Sequence, residues 1–232
     1  MKRKKSSSVS SISNPANTIS HKVYYPVFLS LKDKKTVIIG GGSVAERKVL
    51  SLLKSGADIT VISPEITEKI GKEKLRKRIR HISRHYRKGD LRNAFLVIAA
   101  TDSPVINDRV SKDALCLVNV VDTPDLCNFI VPSTMVRGPL TFAVSSSGVS
   151  PALSKSIRRE IEKMYGTEFS RYLESLRKIR AEAMDVIGDQ RKRSRLFKAL
   201  ASEKAIKMLR DKGYRETIRA AEDLFEKVKT DS

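Results

Sequence analysis

The feature that most constrains this chain is a strand, a glycine-rich turn and a helix in immediate succession. Lys-Thr-Val-Ile-Ile-Gly at 35–40 reads as a short buried strand, apolar and β-branched. Gly40-Gly41-Gly42-Ser43-Val44-Ala45 follows, and a helix is predicted from about Ser43 to Ser55, with Ala45, Val49, Leu52 and Leu53 on one apolar face. Gly56 stands where a helix ends. A second strand is expected at 58–63, which completes a βαβ unit with parallel strands.

The glycine run fits G-x-G-x-x-A. Gly40 permits a tight turn, Gly42 lets a ligand reach the backbone, and Ala45 lets the helix lie close to the strand. A helix N-terminus placed there offers free N–H groups to a phosphate, so the pattern points to a dinucleotide pyrophosphate. Six residues alone are a weak signal, and an unliganded glycine turn is the plain alternative. At the end of the second strand, Ser63, Pro64 and Glu65 stand where a ribose is read. No Lys or Arg follows them directly, which favours NAD over NADP.

Further along, strands are predicted near 79–86, 94–100 and 116–121, with a short helix within the basic run Lys72–Arg92 and another helix opening at Ser103-Pro104. Thr101 and Asp102 close the fourth strand and are assigned to the cofactor side. Asp122 closes the fifth, at the edge where open α/β sheets bind ligands. Position alone leaves open whether it accepts a proton or merely caps a turn. After Asp122 the pattern becomes a hairpin, 129–136 and 139–146, joined at Arg137-Gly138, and then helix from Ser150-Pro151 to the end. The expected fold is therefore α/β: a Rossmann-like parallel sheet, then a small hairpin region, then a helical C-terminal domain. The expected divisions are a disordered basic tail (1–20), a cofactor domain (21–124), a dimerisation and substrate region (125–166) and a helical domain (167–232).

Ser145, Ser146 and Ser147 precede Gly148, and Lys155 and Arg158 follow on the next helix. Hydroxyls, backbone amides and cations together suit carboxylates. Taken alone, a serine-rich turn before a solvated helix face is the plainer description.

The net charge of +20 invites a polyanionic partner, either nucleic acid or a small polycarboxylate. The basic run has no interleaved aromatics beyond Tyr86, which weighs against nucleic acid. No apolar run approaches the ~20 residues of a membrane span. Two cysteines, Cys116 and Cys127, and three histidines show no metal-site spacing, so no resident metal is expected; free thiols suit a reducing cytoplasm.

Taken in order, Tyr25-Pro26-Val27-Phe28, Gly40 to Lys48, Ala99-Ala100-Thr101-Asp102, Asn119-Val120-Val121-Asp122, Phe129-Ile130-Val131-Pro132-Ser133, Ala143 to Gly148 and Ser150-Pro151 closely resemble the precorrin-2 dehydrogenase/sirohydrochlorin ferrochelatase family, which includes the N-terminal module of siroheme synthase. The resemblance spans about residues 23–165. It implies NAD-dependent oxidation of precorrin-2 to sirohydrochlorin, ferrous iron insertion in some members, and a homodimer. It also implies that Asp122 is the essential aspartate and that Ser145, Ser146 and Ser147 hold substrate. An eight-carboxylate tetrapyrrole would account for the positive charge. A competing expectation is a non-catalytic NAD-sensing protein that binds nucleic acid or a protein partner; it leaves the segments around Asp122 and Ser146 without a purpose.

Overall fold

A computed structural model describes residues 22–230. The expected basic tail at 1–20 lies outside the described residues. Five parallel strands form one sheet in the order β3-β2-β1-β4-β5: β1 (Lys35–Ile39), β2 (Asp58–Ile62), β3 (Ile79–Ile82), β4 (Leu96–Ala99) and β5 (Leu117–Val120). The chain winds from β1 to β2 and β3 on one side, then crosses to β4 and β5 on the other. The switch point therefore lies beside the carboxyl end of β1, where such sheets bind ligands.

The strands are buried on both faces, as their continuous apolar sequences require. On one face Ile38, Ile59, Val61 and Ile98 pack with Ala45 and Val49 of α1 (Ser43–Lys54) and Ile70 of α2 (Glu68–Leu75). On the other, Val37, Ile39, Val97 and Val120 pack with Val110 of α3 (Pro104–Asp113). Ser103 caps α3 by accepting the Ile106 N–H, and Pro104 takes the first helical position, as expected.

β3 is much shorter than its expected range. β3 stops at Ile82 because the Arg84 N–H turns back to the Ile82 carbonyl, and the expected strand to 86 becomes a loop. The helix in the basic run begins earlier than expected, at Glu68, with Thr67 as its cap.

Beyond β5 a 3-10 turn (Pro124–Leu126) leads to an antiparallel pair, β6 (Ser133–Arg137) and β7 (Leu140–Val144). The first strand starts four residues later than expected, just after Pro132, which has no N–H to give a ladder. Helix α4 (Pro151–Met164) packs on this hairpin. Four more helices follow: α5 (Thr167–Val186), α6 (Gln190–Leu200), α7 (Glu203–Lys212) and α8 (Tyr214–Thr230). Their core is built on Phe169, Ile179, Ile187, Leu196, Leu209 and Phe225. No helix among the described residues is long and apolar enough to cross a membrane.

Candidate active site

Two cavities open near the carboxyl edge of the sheet; the N-cap of α1, Gly42, lines one and Lys48 of the same helix lines the other. The first, of about 520 Å³, is lined by Gly40, Gly41, Gly42, Ser63, Pro64, Glu65, Thr101 and Asp102. These are eight of the expected cofactor residues, brought together from the ends of β1, β2 and β4. Ser43 and Val44 lie on α1 outside this lining, and Ala45 is wholly buried, where it serves helix–sheet packing.

The three glycines differ in what holds them. Gly40 has φ +116°, and a Cβ there would stand 2.2 Å from the Ala100 carbonyl oxygen. At Gly41 a Cβ would meet the Glu65 carbonyl oxygen at 1.9 Å, because the loop after β2 folds onto the glycine turn and the Thr67 N–H donates to the Gly41 carbonyl. Gly42 is different: a Cβ there meets nothing within 4 Å, and its backbone is extended, a conformation open to any residue. Only a ligand gives this position a reason to be glycine. Gly42 is also the N-cap of α1 and supplies no side-chain cap, so the helix's first N–H groups are left for another acceptor. The residues present therefore fit a bound dinucleotide.

The loop after β4 is fixed from below. Asn107 on α3, itself buried, donates to the Thr101 carbonyl and accepts from the Thr101 hydroxyl at 2.8 Å. This side chain was not singled out in the sequence, since an Asn on a helix carries no signal by itself.

The second cavity, of about 420 Å³, joins Asp122, Ser145, Ser146, Ser147 and Lys155, as expected, and adds Tyr24, Lys48 and Cys127. Asp122 is exposed at the end of β5 and sits in the left-handed region, φ +59°. A non-glycine residue held there is strained, and such strain gathers at functional turns. Cys127, buried and unoxidised, braces the turn: its Sγ accepts the Val120 N–H at 3.1 Å and lies within reach of the Val120 and Thr123 carbonyls. The Lys22 ammonium donates to the carbonyls of Pro124, Asp125 and Cys127, tying down the far side of the same loop.

The serine turn is a small network. Ser145 Oγ accepts the Ser147 N–H, and Ser146 Oγ accepts from the Ser150 N–H and the Ser154 hydroxyl. Both side chains are used as acceptors, so their own O–H protons remain to be given to an anion. Arg158 is not in this group: its guanidinium is engaged by Glu162 one turn along α4, and it lies outside the cavity lining. The i, i+4 carboxylate was visible in the sequence and would have warned against choosing it.

Lys48, half-buried on α1, is the cation that sequence reasoning missed. Burial pushes its pKa below the ordinary lysine value and Arg47 adds to this, while Cys127 and Asp122 act the other way.

Half of the Lys and Arg residues in the basic run are paired with carboxylates. Lys72 pairs with Glu68, Arg76 and Arg78 with the buried Glu73, Arg80 with Asp58, and Arg84 with Asp90. Among the described residues no His, Cys, Asp and Glu cluster could hold a metal.

Fold, glycine cradle and sheet-edge cavity together define an NAD(P)-binding protein of the Rossmann class. Comparison with known proteins sharpens this. Residues 27–133 match a family described as putative NAD(P)-binding, and residues 137–164 match the central region of sirohaem biosynthesis proteins. Siroheme synthase of Methylobacillus flagellatus is 44% identical over 149 residues, covering 63% of this chain and 32% of that protein. Siroheme synthase of Thioalkalivibrio sulfidiphilus is 36% identical over 206 residues, covering 85% of this chain and 42% of the relative. The chain thus spans less than half the length of these relatives. The solved structure of SirC, a precorrin-2 dehydrogenase, superimposes with a TM-score of 0.74 at 26% identity, covering 86% of this chain and all of that one. Along most of its length the chain is thus similar to siroheme synthases and to a precorrin-2 dehydrogenase.

Proposed function

We propose that this chain oxidises precorrin-2 to sirohydrochlorin with NAD as the electron acceptor. One observation carries the proposal. A single helix, α1, presents its open N-terminus to the cofactor cavity and Lys48 to the neighbouring cavity that holds Asp122 and the serine turn. A dinucleotide and a polycarboxylate can then lie side by side on one rigid element.

Gly42 and the α1 N-terminus would take the pyrophosphate, and Ser63 and Glu65 would face the ribose. Bound NAD supplies a two-electron acceptor. Asp122 accepts the proton that leaves the macrocycle, as a general base at its carboxylate. The hydroxyls of Ser145 and Ser146, the Ser147 turn and Lys155 hold substrate carboxylates. The proposal extends to a homodimer, since α4 leaves an apolar face uncovered, and to a protein that works in the cytoplasm. Ferrous iron is a further candidate substrate; with no protein metal site among the described residues, the tetrapyrrole would supply the donor nitrogens, and Asp122 would accept the pyrrole protons.

The test is incubation with precorrin-2 and NAD, with and without ferrous or cobaltous ion, followed by absorbance. Sirohydrochlorin should appear with NAD alone, and its absence at saturating NAD overturns the proposal. Metal-dependent loss of the sirohydrochlorin spectrum would add chelation.

A further inference from the structure

We infer that Lys48 is a substrate-positioning residue, whose ammonium holds a carboxylate of the macrocycle beside Asp122. The inference rests on the dehydrogenase reading of the site.

Its charged neighbours on the helix, Glu46, Arg47 and Lys54, lie outside the cavity lining. Glu46 is bound by Lys69 at 2.9 Å, and Lys54 lies in the last turn, where a cation complements the helix dipole. Lys48 alone faces the cavity that contains Asp122, Ser146 and Lys155. It is half-buried, yet it makes no hydrogen bond and no ion pair among the described residues. Partly desolvating a cation without a partner is unfavourable, and an anion brought by a ligand offsets that cost. Ala45 and Val49, both wholly buried, fix the helix on either side of Lys48, so its backbone is held in place relative to the sheet. The same helix caps the cofactor cavity with Gly42. Lys48 therefore registers the substrate against the element that receives the pyrophosphate. The lowered pKa of the ammonium agrees with a site that is partly closed to water.

A different role is conceivable chemically: Lys48 could act only on Asp122, holding it ionised. The two roles part in kinetics. Loss of a carboxylate anchor weakens binding and leaves the proton step intact, whereas loss of a partner to the base lowers kcat.

The experiment uses the full chain, with Lys48→Met, which keeps length and apolar stem, and Lys48→Arg, which keeps the charge. Calorimetry with NAD should give wild-type affinity for both, showing an intact cofactor domain. Fluorescence titration with uroporphyrin, a stable macrocycle with the same count of carboxylates, should show Lys48→Met weakened about tenfold to a hundredfold, the usual worth of a charge-assisted hydrogen bond. Lys48→Arg should recover most of this. In turnover with precorrin-2, KM should rise in Lys48→Met with kcat unchanged. Uroporphyrin affinity equal to wild type in Lys48→Met, or a fall in kcat with KM unchanged, overturns the inference. Failure of the wild type itself to bind the macrocycle overturns the reading of the site and the inference with it.

Discussion

The thiol of Cys127 takes the N–H of Val120 at 3.1 Å, and this contact closes the turn on which Asp122 is carried. It separates two jobs at the end of β5. Cys127 shapes the turn; Asp122, exposed at its tip, faces the cavity. Asp122→Asn keeps the shape, because Asn tolerates the left-handed backbone as well as Asp does. It cannot act as a base. The expected result is a folded protein with normal NAD affinity that oxidises precorrin-2 at least ~100-fold more slowly. Cys127→Ala should behave differently. It leaves the buried Val120 N–H without a partner, so thermal denaturation should show a loss of stability of about 1–3 kcal/mol. Near-normal turnover by Asp122→Asn would remove Asp122 from the chemistry.

The glycine loop offers a sharper contrast within three residues. Gly41→Ala places a Cβ 1.9 Å from a backbone oxygen and should lower the melting temperature by several degrees or prevent folding. Gly42→Asp meets open space and should fold normally. Its side chain and charge would occupy the pyrophosphate's approach, so calorimetry should show no NAD binding. In the wild type, NAD at 100 times its Kd should stabilise the fold by roughly 2.7 kcal/mol, and in Gly42→Asp by nothing. Wild-type NAD affinity in Gly42→Asp would place the cofactor elsewhere.

Much of this architecture is written locally in the chain. β-branched runs, a Gly-rich turn and a Ser-Pro cap are nearest-neighbour signals, and β1, α1, β2 and α3 fall within a residue or so of where those signals put them. Asp122 and the serine turn were visible because they end regular elements at the active edge. Lys48 was not. On a sequence it is an ordinary charge on an amphipathic helix, and only the approach of the β5 loop and the serine turn gives it a cavity to face. The packing of the loop after β2 onto Gly41 was equally hidden, since it depends on a contact across 24 residues of intervening chain. Arg158 shows the opposite: in the structure it is paired locally with Glu162 and lies outside the cavity lining.

The loop from 84 to 90 borders the cofactor cavity through His85 and Tyr86, and one ion pair sets its shape. Arg84 donates two bonds to Asp90, at 2.8 and 2.7 Å, and the Arg87 N–H adds a third. Asp90 is only 11% exposed, so water screens the pair weakly. The Arg84 guanidinium is the main reason the Asp90 carboxyl sits below its ordinary pKa, with the Arg87 amide helping and burial opposing. A carboxylate with a folded pKa below its unfolded value contributes stability above the unfolded value, about 3.9, and loses it as pH falls through the folded one. Asp90→Asn should therefore melt below the wild type at pH 7, and the gap should shrink as pH drops below about 4. A gap that stays constant down to pH 2 would show that the charge of Asp90 contributes nothing.

The hairpin and α4 carry the last prediction. α4 buries only Ser154 fully, while Leu153, Ile157 and Met164 stand 55%, 38% and 49% exposed on the apolar face expected from their spacing. Val136 on β6 is 56% exposed. β6 and β7 make a sheet of two strands, so each has an unpaired edge. An isolated two-stranded hairpin is marginally stable, and contiguous exposed apolar surface of this kind marks an interface. A two-fold related copy would cover both the helix face and a strand edge with the same residues on each side. Sedimentation equilibrium at micromolar concentration should give a species of two chains. Leu153→Asp with Ile157→Asp should give single chains, because burying unpaired carboxylates in an apolar interface is strongly unfavourable. Since Ser154 and Lys155 lie at the start of the same helix and Ser146 is hydrogen-bonded to Ser154, the double variant should also lose affinity for the tetrapyrrole while NAD binding at α1 persists. A wild type that sediments as a single chain, or a double variant that remains a dimer, removes this face from the assembly.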